Sequence, residues 1–353
     1  MTKFLKKKDI EISLNRYGIA ALSAMAQGLF CSLLIGTILK IVGQQIGIEI
    51  LISTGSFASQ MSGAAMAIAI GFALKSPPLV LFSLTTVGFI ANIEGGAGGP
   101  LAVLFITIIA AECGKFVSKE TKIDILVTPT ITICVGTFLS LSIAPYIANI
   151  AMSIGNFIQW ATELAPFFMG IIIAVVVGIT LTLPISSAAI CAAFSITGLA
   201  GGAALTGCCA HMIGFAFMGF KDNGISGIVS QGIGTSMLQM PNLVKKPILW
   251  LPPIITSIII GPISTVFFKL EMNGEPISSG MGTCGFVGQI GTITGWFSPS
   301  EAALLNGAIS ISPTSFTWIG LIMVCFILPG IICSLIGILF RKFGYLKEGD
   351  LKI

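Results

Sequence analysis

The stretch Phe167–Phe220 reads FFMGIIIAVVVGITLTLPISSAAICAAFSITGLAGGAALTGCCAHMIGFAFMGF, without one Asp, Glu, Lys or Arg. A helix needs about 20 predominantly apolar residues to cross the hydrocarbon core of a bilayer, so this run holds material for three crossings. Pro184 divides the first from the second, because proline lacks a backbone donor and crowds the preceding turn. Gly198, Gly201 and Gly202 divide the second from the third.

The rest of the chain agrees with that reading. Of 353 residues, 55% are apolar and 9% are charged, against about 25% charged in an ordinary soluble domain. Mean hydropathy is +1.01. Long apolar segments recur at 18–41, 50–74, 125–147, 248–268 and 316–340, with shorter ones at 77–91 and 101–115. Together these predict an all-α polytopic membrane protein of about ten transmembrane helices. The composition excludes a nucleic-acid-binding domain, a disulfide scaffold and a disordered regulator.

Basic residues cluster at Lys3–Lys8, at Lys115, Lys119 and Lys122, at Lys245 and Lys246, and from Arg341 to Lys352. The positive-inside rule therefore puts both termini in the cytoplasm, with Lys40 and Lys269 as outward exceptions. Residues 1–17 read as a cytoplasmic amphipathic N-terminus with helix over 4–16, residues 18–343 as the membrane domain, and 344–353 as a cytoplasmic tail. No cleavable signal peptide is visible, since the charged start leads directly into a full-length apolar segment. Ser62-Gly-Ala-Ala-Met66 resembles Ser186-Ser-Ala-Ala-Ile190, and Gly88-Phe89 resembles Gly214-Phe215. Two repeats, 50–125 and 174–250, are one reading; chance similarity in a Gly/Ala-rich chain is the other.

Non-helical backbone at membrane depth has to be buried in protein or line a wet cavity. Three glycine-rich stretches raise that requirement: 91–100, 219–227 and 280–292. The first carries Asn92 and Glu94, and Glu94 is the one ionisable residue between Lys75 and Glu112. An ionisable group at such depth is a functional-site hypothesis, against the alternative of a solvated loop. The second carries Asp222 and Asn223, with Gln231 following. In the third, Gly280, Gly282 and Gly285 form a literal G-x-G-x-x-G, but no strand-turn-helix surrounds it, so a turn or re-entrant element exposing Thr283 and Gln289 is the better reading. His211, the single histidine, lies in an apolar segment as a buried structural imidazole or a site residue. Nine cysteines without a Cys-x-x-Cys pair give no metal site, and no cofactor motif is present.

The stretches Gly88-Phe-Ile-Ala-Asn-Ile-Glu-Gly-Gly-Ala-Gly-Gly-Pro100 and Gly280-Met-Gly-Thr-Cys-Gly-Phe-Val-Gly-Gln289, with the ten-span pattern, resemble the membrane subunit, enzyme IIC, of the bacterial sugar phosphotransferase system. They look most like its divergent branch that includes perfringolysin-regulator-like membrane proteins. The resemblance implies a homodimeric sugar permease of the bacterial cytoplasmic membrane, served by cytosolic enzyme IIB and IIA subunits. The Gly-Ile-Thr-Glu-Pro motif of the glucose-type branch is absent, so Glu94 and His211 correspond to that branch's sugar-contacting residues by type alone. The substrate-binding candidates are Asn92, Glu94, His211, Asp222, Asn223, Gln231, Thr283 and Gln289. No self-contained catalytic site can be read, because activated nucleophile and electrostatic support are both missing from the pattern. A proton- or cation-coupled secondary transporter and a ligand-sensing membrane regulator are the alternatives.

Overall fold

The computed structural model describes residues 3–353, and every regular element among them is helical. Met1 and Thr2, the start of the expected amphipathic stretch, lie outside the described residues. Helix in that stretch covers Lys3–Lys7 and resumes only at Leu14, because the chain turns at Asp9 with φ of +53°. The chain divides into two compact units, 1–151 and 152–353, the division falling inside one long helix.

In the first unit, α1 (Leu14–Gln44) ends at Gly47, whose φ of +72° no β-carbon opposes. The chain folds back as α2 (Glu49–Gln60) and α3 (Ser62–Ala73), bent 50° to each other. Missing side chains allow the close approach: Gly28 faces Ala65, Gly36 faces Gly55, and Gly43 faces Ile52. Next come α4 (Pro78–Gly95) and α5 (Gly99–Val117). Between them Gly96 adopts φ of +49° and ψ of −124°, a conformation open mainly to glycine. Val80 packs on Gly114 and Asn92 on Gly99, so the two helices form an antiparallel hairpin. The long α6 (Asp124–Thr162) packs through Thr132, Gly136 and Ile147.

The N-terminal segment bolts the basic end of this unit. Arg16 donates to the Leu74 carbonyl at 2.6 Å, and Lys115 donates to the same oxygen at 3.1 Å. Asp9 bonds Arg16 at 2.8 Å, and that bond holds its carboxyl below the usual carboxylate range. Lys8 donates to the Ser118 carbonyl and pairs with Glu120.

In the second unit, α7 (Pro166–Thr182), the short α8 (Ser187–Ala193) and α9 (Gly198–Met218) follow in order. Ala174 meets Gly207 and Gly178 meets His211, so α7 and α9 run in the same direction. Residues 183–197, carrying α8, therefore return the chain between them. The α10 helix (Pro247–Phe267) runs the opposite way, with Gly170 on Gly261 and Thr206 donating to Ser264 at 2.9 Å. The α11 helix (Ser315–Lys342) lies parallel to α9, with Cys333 on Gly214 and Gly337 on Met218. The core of this unit is α9, buried along nearly its whole length.

Both units share one local pattern. A helix ends on a non-glycine residue with positive φ, Lys75 (+54°) or Ser195 (+50°). The next amide closes the helix onto a carbonyl five residues back, Ser76 to Gly71 and Ile196 to Cys191, each at 2.9 Å. A long helix starts three residues after the positive-φ residue, at Pro78 or Gly198. Two residues after a carboxylate, Glu94 or Asp222, comes a glycine with positive φ, Gly96 (+49°) or Gly224 (+58°).

Six helices among the described residues are long and apolar enough to cross a membrane, seven if α2 and α3 count as one bent span. The expected ten is not reached by this measure for two physical reasons. Pro78–Val117 counts as one stretch although Gly96 folds it in two, and α7 and the α8 return are short. Large apolar side chains such as Phe72, Phe82, Phe138 and Ile125 face outward, as a lipid-facing surface requires.

Candidate functional site

The polar groups of the second unit line up along α9. At mid-helix, His211 is fully buried, and its Nδ1 lies 2.9 Å from the Thr182 hydroxyl, which is 2.8 Å from the Ser236 hydroxyl. Thr182 also donates to the Gly178 carbonyl at 3.2 Å. A hydroxyl has one hydrogen, and a carbonyl can only accept, so the network assigns donation to His211 Nδ1 and to Ser236. That tautomer leaves Nε2 as a bare acceptor, and it has no hydrogen-bond partner among the described residues. It abuts Gly178, where an added β-carbon would come within 3.0 Å. Trp250 covers the imidazole with ring centroids 6.0 Å apart.

The glycine-rich 276–289 segment reaches the same depth. Gly282 and Gly285 take positive φ, and Gly282 packs on Cys208, at the midpoint of α9. Thr283 and Gln289, expected to be exposed, are buried instead. The glycines at 282 and 288 let the segment seat directly on α9. Thr283 donates to the Met212 sulfur at 3.6 Å, and the Gln289 amide to the Cys209 sulfur at 3.5 Å; Gln289 Oε1 has no donor among the described residues.

Ser236 and Gln239 share one helical turn, which carries the polar track from His211 to the basic end of the unit. There Gln239 donates to Gln231 at 2.8 Å, and Asn242 donates to Gln239 at 2.9 Å. Asp222 and Asn223 stand beside them through shared partners in residues 349–353. At the opposite end of α9 a cavity of about 400 Å³ opens among Gln159, Thr162, Thr197 and Asn306. Asn306 donates to the Thr197 hydroxyl at 2.9 Å there.

Of the expected site residues, Asp222, Asn223 and Gln231 are brought together, and His211, Thr283 and Gln289 share the middle of α9. Asn92 and Glu94 belong to the first unit. Asn92 reaches the Ser62 hydroxyl at 3.5 Å, and Glu94 is half-buried without a hydrogen bond or ion pair among the described residues. Thr182, Ser236, Gln239 and Asn242 were not legible as site residues. A hydroxyl inside an apolar helix ordinarily bonds its own backbone, so nothing in the sequence distinguishes Thr182 from Thr180. Gln239 and Asn242, three apart beside Lys245 and Lys246, are the one signal that was available.

A family model described as "Phosphotransferase system, EIIC" matches residues 19–353. No curated protein and no solved structure matches the chain at a significant level.

Proposed function

We propose, for a chain that belongs to the EIIC family of the phosphotransferase system, that a carbohydrate passes along α9 of the second unit to a cytosolic phosphoryl-bearing enzyme IIB. Membership makes the chain a multi-pass membrane permease subunit of a sugar phosphotransferase system. The observation that carries the route is the series of polar groups spaced along α9 inside an otherwise apolar unit. It runs from the 400 Å³ cavity, past His211 and the Gln289 amide, to Gln231, Gln239 and Asp222. Hydroxyls and neutral amides both donate and accept, which suits sugar hydroxyls better than an ion. His211 Nε2 and Gln289 Oε1 are acceptors lacking donors among the described residues, and a sugar hydroxyl admitted between α7 and α9 would supply one.

The topology we favour has five crossings in each unit. Alternating chain direction supports it: α1, the bent α2–α3 pair, α4, α5 and α6, then α7, the 183–197 return, α9, α10 and α11. Each unit gathers its basic residues at one end, around Lys8, Arg16 and Lys115 in the first and around Lys245, Lys246 and Arg341 in the second. The positive-inside rule makes these ends, and both termini, cytoplasmic. The shared helix–cap–helix–glycine pattern then enters the membrane with opposite orientation in the two units. In the first, Lys75 is at the basic end and Gly96 at the other; in the second, Gly224 is at the basic end. Duplicated halves of inverted topology are a common way to build transporters.

The test is phosphoenolpyruvate-dependent phosphorylation of a panel of labelled hexoses and disaccharides by membranes carrying the chain, with and without soluble phosphotransfer proteins and a candidate enzyme IIB. A sugar phosphate formed only in the complete mixture supports the reading. Uptake driven by a proton gradient without those partners refutes it.

A further inference from the structure

Residues 346–353, within the stretch 344–353 read from sequence as a cytoplasmic tail, are threaded into a polar cradle. The Asp222 carboxylate, 1% exposed, accepts from the Gly349 amide at 3.0 Å and the Leu351 amide at 3.4 Å, and pairs with Arg341 at 3.4 Å. Asn223 accepts from the Ile353 amide at 3.0 Å and donates to the Leu351 carbonyl at 2.7 Å. Gln239 donates to that same carbonyl at 2.9 Å, and Asn242 to the Lys352 carbonyl at 2.9 Å. Two leucines anchor the segment, Leu346 and Leu351, both buried, and Asp350 pairs with Lys246 at 2.5 Å. Between the anchors Lys347, Glu348 and Gly349 are exposed.

Two features mark this as a reversible closure rather than a piece of core. The cradle reads main-chain amides and carbonyls of a segment that turns at Gly349, with φ of +86°, so it holds that backbone without needing most of its side chains. The groups it engages are the amides and carboxylate at the basic end of the polar track, the donors and acceptors that a hydroxylated solute leaving that end would require. While the segment sits there, those groups are taken.

We infer that residues 346–353 form a detachable strap that closes the inner mouth of the second unit, and that its release uncovers Asp222, Asn223, Gln239 and Asn242 to the departing substrate. The inference rests on the permease reading for its direction of traffic, and on the strap geometry for its existence. Sequestration of the cradle makes the strap an autoinhibitory contact: solute cannot leave until it lifts.

The geometry offers a lock. A β-carbon built on Gly219 lies 3.5 Å from that of Leu351, at the short edge of the range of about 3.5–4.5 Å spanned by disulfides. The experiment uses Gly219→Cys with Leu351→Cys in a chain whose exposed Cys31 and Cys134 are replaced by serine, with Gly219→Cys alone as the folding control. Copper phenanthroline closes the lock and dithiothreitol opens it. Amide hydrogen exchange on the unaltered chain should show strap amides opening about a thousandfold more often than those of Leu205–Cys209 in α9. Oxidising the double variant should slow them toward the α9 rate. Strap amides as slow as α9 in the unaltered chain overturn the inference. In vesicles supplied with labelled hexoses and disaccharides and the phosphotransfer proteins, the closed lock should lower sugar phosphorylation about tenfold or more, restored by reduction. Equal rates with the lock open and closed overturn it too. If the unlocked chain phosphorylates no sugar, the permease reading falls, while hydrogen exchange still decides whether the strap detaches.

Discussion

Replacing Thr182 with valine keeps the shape and branching of the side chain and deletes one oxygen. Among the described residues, that oxygen is the hydrogen-bonded link between His211 on α9 and the Ser236 turn. The Gly178 carbonyl loses little, since it keeps the intrahelical bond of α7. The His211 Nδ1 hydrogen and the Ser236 hydroxyl are each left in a site with no exposed surface. Hydrogen bonds between helices in membranes average about 0.6 kcal/mol, which sets a floor of about 1 kcal/mol for losing two. Orphaning a buried polar group costs about 1–3 kcal/mol each, which sets a ceiling of about 6 kcal/mol. The new methyl returns about 0.8 kcal/mol of apolar burial. Because His211, Thr182 and Ser236 are all sealed from solvent, neither orphan can turn to water, and the value should lie well above the floor, at about 2–3 kcal/mol.

The internal control is Thr180→Val, two positions away from Thr182. Among the described residues Thr180 donates only within its own helix, to the Val176 and Val177 carbonyls, so its removal orphans none of their side chains and should cost less than about 1 kcal/mol. Equilibrium unfolding of the detergent-solubilised protein reads both variants. A second cycle adds His211→Phe, which removes the stranded donor. The double variant should be less destabilised than the sum of the singles by about 1 kcal/mol or more. Equal stability of Thr180→Val and Thr182→Val would falsify the idea that this hydroxyl joins α9 to the 236–239 turn.

Three further outcomes follow from other parts of the structure. Gly207→Ala drives a β-carbon into the Ala174 backbone and should destabilise by about 3 kcal/mol, whereas Gly232→Ala, buried but with its nearest neighbour at 3.4 Å, should stay within about 1 kcal/mol; thermal unfolding compares them. Burial works against ionisation of Asp350, but the Lys246 ammonium and the Lys347 amide outweigh it, so its carboxyl is held below the ordinary 3.8. Its contribution to strap docking is therefore complete above that value and lost as pH falls through the lower docked value, and strap hydrogen exchange, corrected for its intrinsic rate, should be flat above about pH 5 and accelerate below about pH 4. Impermeant maleimide should label Ala97→Cys in intact cells and Lys119→Cys only after permeabilisation; the reverse pattern refutes the orientation of the first unit.

How much of this was visible in the sequence depends on how local the determining physics is. Crossing helices are written in composition, so Phe167–Phe220 alone yields the membrane class and Pro184 the first break. The glycine hinges were legible too, because Gly96, Gly224 and Gly282 use backbone conformations that few other residues adopt. The crossing count was harder, since a 40-residue hairpin and a broken return look alike to any measure of length and apolarity. The site was half legible. Asp222 and Asn223 stood out because charge and amide groups are rare in such a chain, but what they bind was hidden. Apart from the Arg341 side chain and the nearby Gly219 carbonyl, their partners lie more than 100 residues away and are backbone atoms, which carry no sequence signature. Thr283 and Gln289 show the opposite error: polarity predicts exposure, yet neighbouring glycines let α9 come close enough for sulfur atoms to accept their hydrogens. In a membrane protein with so few polar groups, each buried one needs a partner, and a polar group left without one is the better pointer to function than polarity itself. By that criterion His211 Nε2 and Gln289 Oε1 stand with Thr107 Oγ1 and Asn273 Oδ1 among the buried groups without a hydrogen-bond partner among the described residues, and the two beside α9 are a place to seek substrate recognition alongside Glu94.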